Sequence, residues 1–411
     1  MNRAESMTAA EAAFLEFERE GLPMHVAGIT VLDATEPVTM DELRRAVATR
    51  LRGLPRLHQT AHSRWTPAGR IDFTAHVFHH QLAHASQFHP VCAQIHQAPL
   101  DRGRPLWEVH LIDGLAHHQQ ALVIKTHHAI GDGLAGMKIA EALFDRSETT
   151  FAQSAPELRF VHNGSRATVA VLQDLVGLAF TASSGPLAAE GPFNGRVGSE
   201  RAFAAAALDI DRVRVLKQQL GGSVDDVIVA IVSVGLRRYL ENVGYPTIPA
   251  ALRAMLPVST QAFMPGAHLG NHVSAVFIDL PMQVDGLATL VRHIAAAKAV
   301  VRTAHAAAGG AVAVEAVGRL PRPLRAAVLR TVSELPFANL VISDIPGPDR
   351  PQHFLGRNVI ACYPMMPLGG NVGLSIAAVG MGHVIGVGVT ADPGIVPDVR
   401  RLAKAIETAA A

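Results

Sequence analysis

The chain has 411 residues, enough for two ordinary domains, and a formal net charge of +1 from 36 Lys and Arg against 35 Asp and Glu. With 5% aromatic residues and no basic stripe it has little to grip a phosphate backbone or stack bases, so no nucleic-acid partner is expected. Cys92 and Cys362 are too few for a disulfide framework or a zinc site, and no run of about 18 uncharged apolar residues marks a membrane span. Met1 to Glu20 lacks the apolar stretch of a secretion signal, so the expected location is the cytoplasm.

In chain order, Thr8 caps a short helix carrying Ala12, Phe14, Leu15 and Phe17, and Pro23 to Leu32 reads as a strand. Thr39, with Glu42 three residues on, forms a capping-box pattern ahead of Leu43, Val47 and Leu51 at helical spacing. A strand region follows around Ile71 to Phe78. His76, His79, His80, His84, His89 and His96 are irregularly spaced and read as surface or packing residues, not as a metal site. Leu111 to Ile124 reads as a hairpin broken at Gly114 and at His117 to Gln120. Its second strand, Ala121 to Thr126, runs into Lys125-Thr126-His127-His128-Ala129-Ile130-Gly131-Asp132-Gly133. Leu134, Met137, Ile139, Ala142 and Leu143 then fall at roughly helical spacing, so a helix begins near Gly133. Two histidines therefore stand where a strand ends, just before a helix start whose unpaired N–H groups suit developing negative charge.

Four readings of this stretch compete. Gly131-x-Gly133-x-x-Gly136 matches a dinucleotide fingerprint, but that needs a second strand ending in an acid about 20 residues on, and Arg146 to Pro156 is polar. His128 and Asp132 could bind a metal, yet the glycines argue against one continuous helix face and no third ligand is evident. The histidines could simply be satisfied at a strand end. Or one of them is a general base beside an anion-stabilising turn.

The His-His-x-x-x-Asp-Gly form of residues 127–133 is shared by condensation domains and related acyltransferases. Pro99-Leu100-Asp101-Arg102-Gly103-Arg104-Pro105-Leu106-Trp107-Glu108 and Leu111-Ile112-Asp113-Gly114 resemble the bacterial wax ester synthase/diacylglycerol acyltransferase family specifically. Ala13-Phe14-Leu15, Pro23-Met24-His25-Val26 and His76-Val77 extend the resemblance, with Glu11-Ala12 where the family has Asp-Ala.

Further along, Ser147 to Gly198 loses clear strand pattern and carries one helix, Val169 to Phe180, and it reads as shorter than the corresponding crossover in that family. Phe193-Asn194-Gly195 and Arg201 resemble the restart of the second half. Asp211 to Leu220 is a helix ended by Gly221-Gly222, and Ser223 caps a longer one whose first turn holds Asp225 and Asp226. The family usually has Asn-Asp there, so Asp225 is a departure; both acids read best as helix caps. Leu252 to Ser259 is a buried strand. Gly270-Asn271 leads a strand through Leu280, and Leu287 to Arg302 is helical. Arg319, Arg322, Arg325 and Arg330 mix with apolar residues over Val317 to Leu335, which reads as a solvated helix face or a basic surface resting on anionic lipid. Phe337 to Pro348 matches a strand-and-turn motif whose Ser-Asn is Ser343-Asp344 here. Pro367 to Ile376, Ile385 to Ala391 and Val396-Pro397-Asp398 resemble the closing hairpin and last helix. No Gly-x-Ser-x-Gly elbow and no Walker loop is present.

The resemblance implies an α/β fold of two chloramphenicol acetyltransferase-like halves with a channel between them. The first half is expected over 1–150, a crossover over 151–192 and the second half over 193–411. It implies that His128, beside His127, takes a proton from an acceptor hydroxyl as the oxygen attacks an acyl thioester. Asp132 is expected to hold the loop and Gly133 to permit close backbone approach. Pro105, Leu106, Trp107, Asp226, Gly270, Asn271 and Ser343 are the supporting or substrate-binding candidates. No metal or cofactor is expected; acyl-CoA is a co-substrate and the acceptor a hydroxyl-bearing lipid, which allows peripheral contact with a membrane or lipid inclusion. An acyl carrier protein as donor, and a non-catalytic lipid-binding role, are the alternatives.

Overall fold

Residues 4–145, 188–259, 273–303, 325, 334–348 and 350–410 are described by the computed structural model. The first part of the chain runs α1 (Ala9–Phe17), β1 (His25–Asp33), α2 (Met40–Arg50), β2 (Gln59–Ala61), β3 (Trp65–Pro67), β4 (Val77–Gln81), α3 (Phe88–Gln97), β5 (Trp107–Asp113), β6 (Gln119–His127) and α4 (Gly133–Leu143). The second part runs β7 (Ala202–Asp209), α5 (Ile210–Leu220), α6 (Val224–Asn242), β8 (Ala251–Ser259), β9 (Val273–Pro281) and α7 (Leu287–Thr303). It closes with β10 (Leu340–Ile345), β11 (His353–Phe354), β12 (Arg357–Met365), β13 (Leu374–Met381), β14 (Val384–Ala391) and α8 (Val399–Ala409).

Local chemistry accounts for several boundaries. Capping boxes start α1 (Thr8 with Glu11), α2 (Thr39 with Glu42) and α6 (Ser223 with Asp226), each closing two otherwise unpaired backbone N–H groups. The expected hairpin is β5–β6, and its strands are longer than their apolar cores suggested. The strand expected around Ile71 to Phe78 begins only at Val77; Phe73 to Ala75 is a single 3₁₀ turn capped by Asp72. Three of the longer elements carried no clear sequence signal. One is α3, which lies within the histidine-rich stretch. Another is β7, whose alanine-rich sequence has weak intrinsic strand preference but is held between β14 and the helices. The third is β12.

Two six-stranded sheets result, ordered β11-β12-β1-β6-β5-β4 and β7-β14-β13-β10-β8-β9. The first sheet draws strands from both ends of the chain. β12 pairs antiparallel with β1, placing Ala27 opposite Met365 and Thr30 opposite Cys362. A single cut near residue 193 therefore does not separate the two sheets. While hydrogen-bonded into the first sheet, β12 also crosses the second, against β14. A Cβ on Gly386 would stand 1.9 Å from the Cys362 carbonyl oxygen, and one on Gly388 1.8 Å from that of Pro364. The alternate glycines of β14 are what let the two backbones touch.

Each sheet buries one face against helices. In the second half Val227, Ile231, Leu402 and Ile406 of α6 and α8 pack onto Ile376, Val387 and Val389. In the first, Leu43 and Val47 of α2 pack with Trp107, Val109 and Leu122. Asn194, Asn339 and Asn371 tie the entry of the second half together: Asn339 Nδ2 donates to Asn194 Oδ1 at 2.6 Å, and Asn194 Nδ2 donates to the carbonyls of Ala338 and Asn371. Among the described residues no single helix is long and apolar enough to cross a membrane. The helix expected at Val169 to Phe180 lies outside the described residues, as does most of the basic segment at Val317 to Leu335. Of that segment Arg325 is described, and it turns inward to Glu16 of α1, with Nε 2.7 Å from Oε2.

Candidate active site

β6 ends at His127 in the middle of the first sheet, where His127 is opposite His25 of β1. The chain then turns through His128 to Ile130 and enters α4, whose N-cap is Asp132; its carboxylate accepts from the Ala135 N–H at 3.1 Å. The turn is pinned by backbone bonds. His127 N–H donates to the Leu106 carbonyl at 3.0 Å, His128 N–H to that of Met24 at 2.8 Å, and Ile130 N–H to that of His127 at 2.9 Å. Ala129 N–H donates to His127 Nδ1 at 3.0 Å.

His128 is 7% exposed. Its ring lies flat against Phe14 of α1, with centroids 4.1 Å apart and planes 4° from parallel. Burial pushes its pKa down to about 4, so the ring is neutral at pH 7. His127 is fully buried and faces Glu18, Nε2 to Oε1, at 3.4 Å. The same carboxylate oxygen faces His25 Nε2 at 3.2 Å, and Arg102 Nε donates to Oε2 at 2.9 Å. His25 Nδ1 donates to the His96 carbonyl at 3.1 Å, and His96 Nε2 donates back to that of His25 at 3.0 Å. Burial works against the Glu18 charge, but the close His127 and His25 rings and the charge of Arg102 outweigh it and hold the carboxyl well below the usual range.

A second set of polar groups continues across the same face of the sheet. Lys125 is buried, with Nζ 3.1 Å from Glu108 Oε2 and 2.5 Å from the Ala98 carbonyl. Glu108 also accepts from His110 Nε2 at 3.2 Å, and His110 meets His80 at 3.0 Å. These charges are paired side by side, which lets a strand flanked by sheet on both edges carry a lysine in its middle.

The residues anticipated from sequence do not all converge here. His127, His128, Asp132 and Gly133 share the turn. Leu106 belongs to it through its carbonyl, and Pro105 is buried beside it. Trp107 points the other way: its indole donates to the Leu57 carbonyl at 2.8 Å and stacks on His76 with centroids 4.4 Å apart, inside the first core. Gly133 is not forced by space. A Cβ there would sit 3.5 Å from Ile345 Cδ1, an ordinary contact, so close approach does not require the glycine. That contact does bring β10 of the second half against the start of α4. Ser343 lies on β10 opposite Ala377 and is buried. Asp226 is occupied as a helix cap and by Lys298, whose Nζ is 2.9 Å from its Oδ1 and also contacts Asp225. Asp344 lies near that group; burial first, then the Asp225 charge, push its carboxyl up to about 7. Gly270 and Asn271 lie outside the described residues. Sequence reading missed Glu18 and Arg102 as partners of the histidines. The available signal was the spacing of Phe14 and Glu18, four apart, with Glu18 the residue that caps the C-terminus of α1. Among the described residues no three His, Cys, Asp or Glu gather as a metal site.

Comparison with known proteins decides the family. The model of the wax ester synthase/diacylglycerol acyltransferase catalytic domain matches residues 7–173 and 152–228, and that of the family's C-terminal domain matches 269–411. This chain belongs to the wax ester synthase/diacylglycerol acyltransferase family. It is an acyltransferase. It is 27% identical over 444 aligned residues to a Mycobacterium bovis protein named as a diacylglycerol O-acyltransferase, covering 98% of this chain and 95% of that one. A Mycobacterium tuberculosis protein of the same name is 28% identical over 439, covering 96% and 87%. Among solved structures, the wax ester synthase/diacylglycerol acyltransferase of Marinobacter aquaeolei VT8 superposes with a TM-score of 0.74 at 21% identity, over 99% of this chain and 98% of that one. The first condensation domain of the CDA synthetase superposes at 0.60 with 16% identity, over 100% and 98%. The enzyme thus shares the two-sheet chloramphenicol acetyltransferase-type fold of both groups.

Proposed function

We propose that this acyltransferase moves a fatty acyl group from a CoA thioester to the hydroxyl of a lipid, with His128 as general base. The hydroxyl oxygen attacks the thioester carbonyl, the new C–O bond forms and the C–S bond breaks. His128 takes the hydroxyl proton and returns it to the departing thiolate, so the proton balance closes without a cofactor. The observation that carries this is the ring itself: a neutral imidazole, stacked on Phe14, at the junction of β6 and a capped helix start. A buried ring with a pKa of about 4 is a weak base. It accepts a proton only as C–O bond formation makes the hydroxyl acidic, which favours concerted transfer over prior alkoxide formation.

The names of the mycobacterial relatives favour diacylglycerol as acceptor, and a long-chain alcohol is the other candidate. Such acceptors reside in membranes or lipid inclusions, so the enzyme would work at a lipid surface. The test is thiol release and product mass with acyl-CoA and each acceptor. His128→Ala and His128→Gln should lower kcat by about 10²- to 10⁴-fold with the fold retained by circular dichroism. Full activity in a folded His128→Ala protein would remove the mechanism. Product formed only from carrier-bound acyl groups would replace CoA as the donor.

A further inference from the structure

α1 and its C-cap residue present two side chains, four residues apart, to two consecutive histidines: Phe14 lies on His128 and Glu18 faces His127. The hydrogen bonds of His127 fix where its proton sits. Nδ1 accepts from the Ala129 N–H, so it carries no proton, and a neutral ring must hold its proton on Nε2, the atom that faces Glu18 Oε1. His127 in turn braces the peptide of His128 from both sides, through Ala129 N–H to its ring and Ile130 N–H to its carbonyl.

We infer that Glu18 is a positioning residue for acyl transfer: its negative charge beside Nε2 favours the Nε2–H tautomer of His127 and, through the bond from Ala129 to His127, supports the turn that carries His128. The inference builds on the role proposed above for His128. The cations that act on Glu18, Arg102 and Lys125, both favour a carboxylate there. Arg102, from the loop before β5, holds Oε2; His25 of β1 and His127 of β6 face Oε1; and the Met24 N–H lies 3.4 Å from Oε1. Both nitrogens of His25 face oxygen acceptors, His96 carbonyl on one side and Glu18 on the other, so Glu18 also draws a second proton toward that ring while burial opposes it.

Glu18→Gln separates charge from shape. Arg102 can only donate, so it takes the amide oxygen and turns the amide NH₂ toward His127 Nε2. Two donors then face each other, and relief comes from moving the His127 proton to Nδ1, which breaks the bond from Ala129. The measurement is the ¹⁵N spectrum of histidine-labelled full-length enzyme, with the His127 signals assigned by their absence in His127→Asn, alongside steady-state kinetics. Wild type should show a protonated Nε2 and an unprotonated Nδ1 at His127. Glu18→Gln should exchange them and lower kcat by about 10- to 100-fold, with KM for acyl-CoA within about twofold. Glu18→Asp, which keeps the charge, should keep the tautomer and lose less activity, and it serves if the Gln variant does not fold. An unchanged His127 tautomer in folded Glu18→Gln, whatever its activity, overturns the inference. So does an exchanged tautomer with wild-type kcat. Because the tautomer is read without turnover, the result stands apart from the fate of His128→Ala.

Discussion

Acid titration of His128 tests the site most directly. An exposed imidazole is half protonated near pH 6.5. In this enzyme burial moves the midpoint to about 4, a difference of about 3 kcal/mol in favour of the neutral ring. The stack on Phe14 pulls the other way, because a cation over an aromatic face gains about 0.5 to 2 kcal/mol. Burial is the larger effect. The folded pKa is depressed below the unfolded value, so the associated stability is complete above pH 6.5 and is lost as pH falls toward 4. For catalysis, kcat/KM should stay level from pH 8 to about 5 and reach half near 4. Phe14→Ala opens one ring face to water and should move this acid limb up by about one pH unit, toward 6.5. The assay is product mass from acyl-CoA and lipid acceptor across the pH range, with circular dichroism at each point to separate titration from unfolding. A wild-type limb at 6.5, or a Phe14→Ala limb displaced further toward acid, would refute burial as the dominant cause.

Other outcomes follow from the same contacts. Gly388→Ala places a Cβ 1.8 Å from the Pro364 carbonyl oxygen, so β12 must shift; stability should fall by about 3 kcal/mol or more, read as a lower urea midpoint, and an unchanged midpoint would mean the crossing is looser than it looks. Asp344 has its carboxyl raised on folding to about 7, so its charge costs stability progressively as pH rises from 3.8 to 7. Asp344→Asn should therefore stabilise the enzyme at pH 8 by up to about 4 kcal/mol, with the gain shrinking toward pH 4; denaturation at the two pH values checks it, and equal effects at both would contradict the assignment. Thr39→Ala removes a capping box far from the histidines and should cost about 1 kcal/mol in stability while kcat stays at the wild-type value.

The sequence by itself determined whatever depends on near neighbours. Thr8 with Glu11, Thr39 with Glu42 and Ser223 with Asp226 satisfy each other across three residues, so those helix starts could be read directly. The β5–β6 hairpin and the turn at His128 were legible for the same reason: alternation, glycine and a capping Asp act locally. Tertiary structure alone decided which strands share a sheet and which charges meet. β12 reads as an unremarkable stretch until β1, more than 300 residues earlier, offers it a hydrogen-bonding edge and β14 offers glycines to cross. Glu18 looks like a surface acid at a helix end until folding brings Arg102, 84 residues away, and His127 onto its two oxygens. Burial then does what no local pattern can encode: it makes His128 a neutral, weak base and sets His127 against the Glu18 carboxylate. A side chain's type is written in the chain, but its solvent and its partners are set only when distant segments close around it.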